Sequence, residues 1–149
     1  QLSSVPECVC QLKMINELFL SYNQLSSLSE CIGNLSSLQR LKLQENRLGS
    51  LPETIGNLTS LPYLNLSHNQ FSKVPECIGN LTSLEYLNVS NNQLTSLPDC
   101  IDNLTSLQYL DLSNNNFSSI PDCILNLKSL NAVNMTGNQL KVLPNFKKK

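Results

Sequence analysis

The chain lacks most of the features on which catalytic and nucleic-acid-binding sites are usually built. It has no tryptophan and a single histidine, and only 5% of its 149 residues are aromatic. Positive and negative charges nearly cancel, giving a formal net charge of −1. Because nucleic-acid binding needs a basic stripe or patch, this balance argues against nucleic acid as a partner. The one charge run, Lys147–Lys149, is shorter than the roughly four to eight charges of a polybasic lipid site.

Signals for membrane insertion, cofactor binding and catalysis are also missing from the sequence. No apolar run approaches the ~20 residues of a membrane-spanning helix. No glycine-rich phosphate loop is present. Ser67 is the sequence neighbour of His68, but alternation along a strand turns neighbouring side chains apart, so the two do not form a nucleophile arrangement. The sequence therefore predicts a protein that does not insert into a membrane, is not an enzyme and uses no cofactor.

What the chain does contain is an internal repeat of 23 residues. Apolar side chains return at positions 1, 4 and 6 of the repeat, and asparagine returns at position 9 in six copies: Asn23, Asn46, Asn69, Asn92, Asn115 and Asn138. Repeats begin at residues 15, 38, 61, 84, 107 and 130, the last being incomplete at its end, and residues 1–14 fit a partial repeat. A fixed period of this size indicates a solenoid, so residues 1–149 are interpreted as one repeat domain.

The consensus LxxLxLxxNxLxxLPxxIxNLxS resembles the leucine-rich repeat family, in its 23-residue class with an LPxxI segment, and is most similar to bacterial members. The resemblance extends over essentially the whole chain. It implies an α/β right-handed solenoid, or horseshoe, with a parallel β-sheet on the concave face and short helical or 3₁₀ turns on the convex face. It also implies protein binding as the general role, although one fold hosts many functions.

The residue pattern predicts the same two faces independently. Apolar positions 4 and 6 alternate with polar positions 3, 5 and 7, which is the period of a half-buried strand. Positions 14, 17, 18 and 21 share one helical face, and Pro98 and Asp99 are expected in the first turn of one such helix. Gly33, Gly56 and Gly79 are expected to end the helices in a left-handed conformation. The position 9 asparagine is expected to form a structural ladder that satisfies backbone groups at the turn.

Both ends of the array are expected to lack polar caps. Phe146 is expected to act as a minimal lid at the C-terminal end. The chain starts at Gln1 rather than Met, so an upstream segment is expected to have been removed or never included. The array is interpreted either as a fragment of a longer one or as a small protein with ragged ends. Its unpaired edge strands make a homodimer a further expectation.

The six cysteines follow the repeat. Five share position 17, which is predicted to be a ladder of small buried thiols: Cys8, Cys31, Cys77, Cys100 and Cys123. Disulfides between neighbours, such as Cys77–Cys100, are the alternative, disfavoured because in-register side chains run parallel rather than toward each other. Cys10 lies off this column, where Cys8 or Cys31 are its candidate partners. No zinc site is expected, because the cysteines spread along the convex edge and His68 lies on the strand side.

The candidate functional surface is the concave face of the predicted sheet. All four tyrosines fall on it, and three share position 3. Tyrosine among asparagine and serine is typical of adaptable protein-binding surfaces, and Tyr and Arg are enriched at hot spots. Stacking between strands would also stabilise the fold by roughly 0.2–1 kcal/mol per pair, so binding and a purely structural ladder both stay open. The candidate binding residues are Tyr63, Tyr86 and Tyr109 as central anchors, with Tyr22, Phe19, Arg40, Lys42, His68 and Asp111 contributing.

The sequence thus predicts a module that binds a partner protein of unknown identity through its concave face. A passive structural or self-associating array is one alternative, and carbohydrate or surface-polymer binding is another. Asn-x-Ser/Thr sequons recur at Asn34, Asn57, Asn80, Asn103, Asn65 and Asn88. Glycans at that density would crowd the surface, the sheet face included, which argues against a glycosylating secretory pathway. A bacterial secreted or surface-exposed protein is favoured, with a cytoplasmic location as the alternative.

Overall fold

Six short strands form one parallel sheet in a computed structural model that describes residues 1–141. The strands follow chain order, and each pairs with the strand one repeat later, so that Leu64 lies between Leu41 and Leu87. Their bounds are β1 Glu17–Phe19, β2 Arg40–Lys42, β3 Tyr63–Asn65, β4 Tyr86–Asn88, β5 Tyr109–Asp111 and β6 Ala132–Asn134. The predictions for Phe146 and Lys147–Lys149 lie outside the described residues.

The opposite side of the solenoid consists of 3₁₀ helices of five residues each. Their bounds are η1 Glu7–Gln11, η2 Glu30–Asn34, η3 Glu53–Asn57, η4 Glu76–Asn80, η5 Asp99–Asn103 and η6 Asp122–Asn126. Pro98 is the N-cap of η5, with ψ 151°, and Asp99 is its first residue. The proline therefore lies one residue earlier than predicted, because its backbone is extended rather than helical. Its ring still fixes φ at the entry to the turn, and the acid still lies at the positive end of the helix.

The hydrophobic core fills the space between the sheet and the 3₁₀ helices. Strand leucines such as Leu41, Leu64 and Leu87 are fully buried, as is Phe71 after the third strand. Burial of each such side chain contributes about 1.5–3 kcal/mol. At the C-terminal strand Val133 is 38% exposed, because no described repeat packs against it. The predicted parallel-sheet solenoid with short convex turns is confirmed.

Asparagine side chains at position 9 connect each repeat to the one before it. The Asn92 amide nitrogen donates to the carbonyl oxygens of Leu66, Val89 and Ser90, each at 3.1 Å. Its Oδ1 accepts from the backbone N–H of Phe71 at 3.0 Å. The same arrangement recurs at the equivalent interior positions, Asn46, Asn69 and Asn115. The asparagines therefore form a continuous ladder of backbone contacts through the array.

The glycines of the 3₁₀ helices have a different role from the predicted one. None of them has a positive φ; among the glycines described, only Gly137 does. Gly79 lies where its backbone meets the next repeat, and a Cβ on it would stand 2.6 Å from Cβ of Cys100. A Cβ on Gly33 would stand equally close to Cβ of Thr54. The prediction of left-handed glycines was wrong: glycine is needed here because two repeats pack too closely for a side chain.

Candidate functional site

Three tyrosines form a continuous stack across β3, β4 and β5. Register places Tyr63 opposite Tyr86 and Tyr86 opposite Tyr109. Their ring centroids are 4.4 and 5.0 Å apart, and the interplanar angles are 3° and 8°. These separations match the ~4.8 Å spacing of neighbouring strands, so the sheet itself sets the stack. Since each inner ring face is covered by the next ring, the ring edges and the outer faces of the two end rings are left for a partner.

The hydroxyls of the two end tyrosines, Tyr63 and Tyr109, remain protonated at neutral pH. Burial raises the pKa of Tyr63, and the neighbouring Tyr86 raises it further. Burial also raises the pKa of Tyr109, with a second contribution from the charge of Asp111. Tyr109 Oη donates to Asp111 Oδ2 at 3.2 Å, and Asn88 donates to Tyr86 Oη at 3.4 Å. The stack is thus tied at its edge to the polar side chains beside it.

Cationic side chains lie at the N-terminal end of the stack. The Arg40 guanidinium lies 5.4 Å from the Tyr63 ring centroid and forms an exposed ion pair with Glu17 at 3.3 Å. Lys42 Nζ lies 4.7 Å from the Phe19 ring centroid and 6.0 Å from that of Tyr63. Cation–π contacts at exposed sites contribute about 0.5–1 kcal/mol each. The structure therefore brings together Phe19, Arg40, Lys42 and Tyr63 as one cationic–aromatic patch.

Asp111 lies at the other end of the stack and is 9% exposed. Its Oδ1 accepts from the Ser113 backbone N–H at 2.9 Å and from the Ser113 hydroxyl at 2.6 Å. Besides Tyr109, its Oδ2 accepts from Asn134 Nδ2 at 3.4 Å. Neither of the two ion pairs found within residues 1–141 includes Asp111. The concave face thus carries charges of both signs at the N-terminal end of the tyrosines and a carboxylate at the other end.

Tyr22 and His68 lie apart from the stack, on a rim formed by position 8. Tyr22 and His68 have left-handed backbones, with φ of 58° and 52°, as does Glu45 at 60°. His68 Nδ1 lies 3.5 Å from Glu45 Oε1, and Tyr22 is 70% exposed. This backbone conformation was not predicted from the sequence. The signal was the Asn91, Asn114 and Gly137 of the same column, residue types that tolerate the left-handed region.

A depression of about 230 Å³ lies beside the tyrosine edges. Tyr63, Tyr86 and Arg40 line it, together with Glu17 of β1 and three residues that precede the strands, Gln39, Pro62 and Glu85; none of these four was in the predicted site. Gln39, Pro62 and Glu85 occupy position 2, just before the strand. The alternation of inward and outward side chains applies within the strand, so it does not predict which way these side chains point. The concave surface therefore extends past the strands on this side.

The convex side has a second depression, which differs in its lining from the one beside the tyrosines. A wider, shallow depression of about 690 Å³ is lined by small polar residues and glycines, with Asp102 as its only titratable side chain. Across residues 1–141 no group of three or more His, Cys, Asp and Glu side chains is arranged to hold a metal ion. The aromatic stack and the cationic side chains beside it lie on the sheet, whereas the charged residues of the convex 3₁₀ helices are acidic.

The cysteines depart in part from the predicted ladder of buried thiols. Cys10 and Cys31 form a disulfide with Cα atoms 5.7 Å apart, one of the two candidate pairings. Cys77 is buried, but Cys100 is half-buried and Cys8 is exposed. Position 17 lies at the edge of the turn, where it meets position 19 of the preceding repeat. Cys10 occupies position 19, which the glycines occupy in later repeats, so the disulfide uses the same close contact.

Two leucine-rich repeat sequence families match the chain, one described as a leucine-rich repeat region over residues 3–97 and one as a leucine rich repeat over residues 95–140. The chain belongs to the leucine-rich repeat family. No curated protein sequence matches it significantly. No helix within residues 1–141 of this leucine-rich repeat chain is long and apolar enough to cross a membrane.

Solved leucine-rich repeat structures from bacteria and plants are similar to the chain. A leucine-rich repeat protein of Leptospira interrogans has 31% identity and a TM-score of 0.74, over 96% of this chain and 42% of that one. A second similar structure is the ectodomain of the Arabidopsis thaliana receptor kinase GASSHO1/SCHENGEN3 in complex with CASPARIAN STRIP INTEGRITY FACTOR 2. It has 42% identity and a TM-score of 0.81, over 92% of this chain and 17% of the receptor chain. The plant peptide hormone receptor RGFR1, in complex with RGF2, has 34% identity and a TM-score of 0.76, over 85% and 21%. This chain thus spans less than half of each.

Proposed function

We propose that this leucine-rich repeat chain is a protein-interaction module that binds a partner protein through its concave face. The observation that carries the proposal is the stack of Tyr63, Tyr86 and Tyr109, set between a cationic–aromatic patch and an acidic residue. Exposed contiguous aromatic surface commonly marks a contact site, and Tyr and Arg dominate binding hot spots. The two similar plant receptors in complex with CASPARIAN STRIP INTEGRITY FACTOR 2 and RGF2 support peptide or protein binding as the role.

A purely structural role accounts less well for the position of the tyrosines. The strands also pair in register where repeat position 3 is not aromatic, at Glu17, Arg40 and Ala132. The fold therefore does not need an aromatic residue there. Two stacked pairs contribute about 0.4–2 kcal/mol together at the usual value for cross-strand pairs. That gain does not explain why three rings stand in consecutive repeats at the centre of the concave face.

Ring geometry favours a protein over a carbohydrate partner. A sugar ring stacks on the face of an aromatic ring, but the inner faces of this stack lie 4.4 and 5.0 Å from one another and cover each other. Arg40 lies over the outer face of Tyr63, so the outer face of Tyr109 is the one ring face of the stack left for a sugar. Ring edges and hydroxyls suit the mixed apolar and hydrogen-bonding contacts of a polypeptide.

The test is affinity capture with two matched triple variants of the full chain. The concave variant is Tyr63→Thr/Tyr86→Thr/Tyr109→Thr, since threonine retains a preference for strands. The convex control is Thr59→Ala/Thr82→Ala/Thr105→Ala, three exposed positions spaced at the same interval. Circular dichroism checks folding of both.

The proposal expects the concave variant to lose the partner that wild type and the convex control both retain, with at least a tenfold drop in affinity, as for hot-spot residues. Equal capture by the folded concave variant would refute it. The partner recovered by wild type is identified by mass spectrometry, so the same experiment supplies its identity.

A further inference from the structure

The two ends of the tyrosine stack differ in what covers their outer ring faces. At the N-terminal end Arg40 lies over Tyr63, 5.4 Å from the ring centroid. At the C-terminal end the in-register neighbour of Tyr109 is Ala132, whose methyl group is too small to cover a ring. Within residues 1–141 cations lie over Phe19 and Tyr63, and none lies over Tyr109. One ring face of the stack is therefore left open toward β6.

A carboxylate that the fold does not require lies beside that open face. Asp111 Oδ1 accepts a hydrogen bond from the Ser113 backbone N–H at 2.9 Å. In two other repeats the neutral amides of Asn88 and Asn134 accept the equivalent hydrogen bond, at 2.9 and 3.1 Å. This hydrogen bond therefore forms at a similar distance without a negative charge at the position. Every donor to Asp111 found in residues 1–141 is neutral. An ionised carboxylate this deeply buried is normally paired with a cation.

The direction of the second carboxylate oxygen links the two features. Asp111 Oδ2 lies within hydrogen-bonding distance of Tyr109 Oη, at 3.2 Å, and of Asn134 Nδ2, at 3.4 Å. It thus lies between the edge of the open ring and the last described strand. A planar cation stacked on Tyr109 from the β6 side would have this oxygen beside it.

We propose that the open face of Tyr109 and the carboxylate of Asp111 form a docking site for one arginine side chain of the partner protein. The site combines a cation–π contact with a charge-assisted hydrogen bond, and a guanidinium group can form both because it is planar and carries several donors. Arg40 provides an example within the chain itself, since it lies on Tyr63 and pairs with Glu17 at 3.3 Å. The partner's arginine repeats at one end of the stack what Arg40 does at the other.

This inference rests on the proposed function and adds an orientation to it. The basic residue of the partner lies over β5 and β6, and the cationic patch of Arg40 and Lys42 lies toward the opposite end of the bound segment. A partner segment bound in the reverse direction would bring its basic residue to an end where Arg40 already occupies the ring face of Tyr63 and the carboxylate of Glu17.

The site can be tested without the partner. N-acetyl-arginine amide is titrated into the ¹⁵N-labelled full chain over about 1–100 mM at constant ionic strength, with N-acetyl-citrulline amide as the neutral probe of similar shape. The expected result is a saturable shift of the amide signals around Tyr109, Asp111 and Asn134 with the arginine probe only. Equal shifts with both probes, or shifts spread evenly over the chain, would overturn the proposal.

Two variants locate the charge. Asp111→Asn gives this position the residue type of Asn65, Asn88 and Asn134, and is expected to weaken arginine binding about fivefold, which corresponds to about 1 kcal/mol. The double variant Asn88→Asp/Asp111→Asn keeps the net charge but moves the carboxylate beside Tyr86, whose two faces are covered by its neighbours. It is expected to be as weak as the single variant. Binding at the wild-type level by either folded variant would refute the site.

The two proposals fail separately. Arginine binding with no protein captured supports this site and counts against the proposed function. A partner that depends on the tyrosines but binds Asp111→Asn with unchanged affinity refutes the arginine site and leaves the proposed function standing.

Discussion

Replacing Asn92 with alanine is expected to lower the free energy of unfolding by about 2–4 kcal/mol, mainly because it leaves one buried donor without a partner. The carbonyl of Leu66 keeps its bond from Asn69, that of Val89 keeps its bond from Asn115, and that of Ser90 keeps its bond from the His68 backbone. The Phe71 N–H loses Asn92 Oδ1, the partner that it has in the structure. An orphaned buried donor costs about 1–3 kcal/mol, and the weakened carbonyl contacts add the rest.

The same substitution at the first asparagine is expected to cost about 1 kcal/mol or less. Asn23 accepts from the Leu2 backbone N–H at 2.8 Å, but that group is exposed, so water can replace the side chain. The assay is equilibrium urea unfolding followed by circular dichroism, and Gln93→Ala, an exposed position beside Asn92, is the control that should change little. If Asn92→Ala costs no more than Asn23→Ala, the ladder does not stabilise the array through buried hydrogen bonds.

Three further predictions concern the contacts between repeats. Gly79→Ala is expected to lower the free energy of unfolding by roughly 1–3 kcal/mol, because the new Cβ would stand 2.6 Å from Cβ of Cys100. The control Gly49→Ala, whose Cβ would stand 3.8 Å from its nearest neighbour, should be neutral or stabilising in thermal melts. Burial, with the hydrogen bond from Sγ to the Glu76 carbonyl, raises the pKa of Cys100 to about 11. The alkylation rate of Cys100 at pH 8 should therefore be roughly a hundredfold lower than that of a thiol with the ordinary pKa, and should rise tenfold per pH unit. An alkylation rate that does not depend on pH would contradict this. Reduction of Cys10–Cys31 should speed amide hydrogen exchange in residues 1–11 and leave the central strands unchanged, and uniform acceleration would contradict a local role.

The sheet could be predicted from the sequence because every strand repeats the same alternation. Once the period is known, stacking the repeats in register places Tyr63 opposite Tyr86 and Tyr86 opposite Tyr109, as the structure has them. A parallel in-register sheet leaves no freedom in which residues are neighbours on its face. The predicted concave column thus follows from the repeat alone, whereas its role in binding remains a proposal.

Contacts between different positions of two neighbouring repeats could not be predicted in this way. Gly79 meets Cys100, and Cys10 meets Cys31, because position 19 of one repeat packs on position 17 of the next. That offset depends on the radius of the 3₁₀ turn and on its rotation about the core. A column-by-column alignment compares each residue only with its own equivalents and does not contain this information.

The charge of Asp111 was visible in the sequence, but its setting was not. In the alignment it is one polar residue among the asparagines of position 5. The hydrogen bonds to Ser113 and Tyr109, and the lack of a cation beside it within residues 1–141, depend on rotamers of neighbouring repeats. The left-handed backbone of Tyr22 and Glu45 was missed for a similar reason, since neither residue type favours that conformation on its own.

The most direct test of the proposed binding through the concave face is an NMR spectrum of the tyrosine rings in the presence of the captured partner. The chain contains four tyrosines, so ¹³C-labelled tyrosine gives a small set of ring signals, which single Tyr→Phe variants assign. The account predicts that the signals of Tyr63, Tyr86 and Tyr109 shift or broaden together as the partner is added, and that they do not do so with a protein that wild type fails to capture. If the partner binds while all three ring signals stay unchanged, the tyrosine stack is not the binding surface.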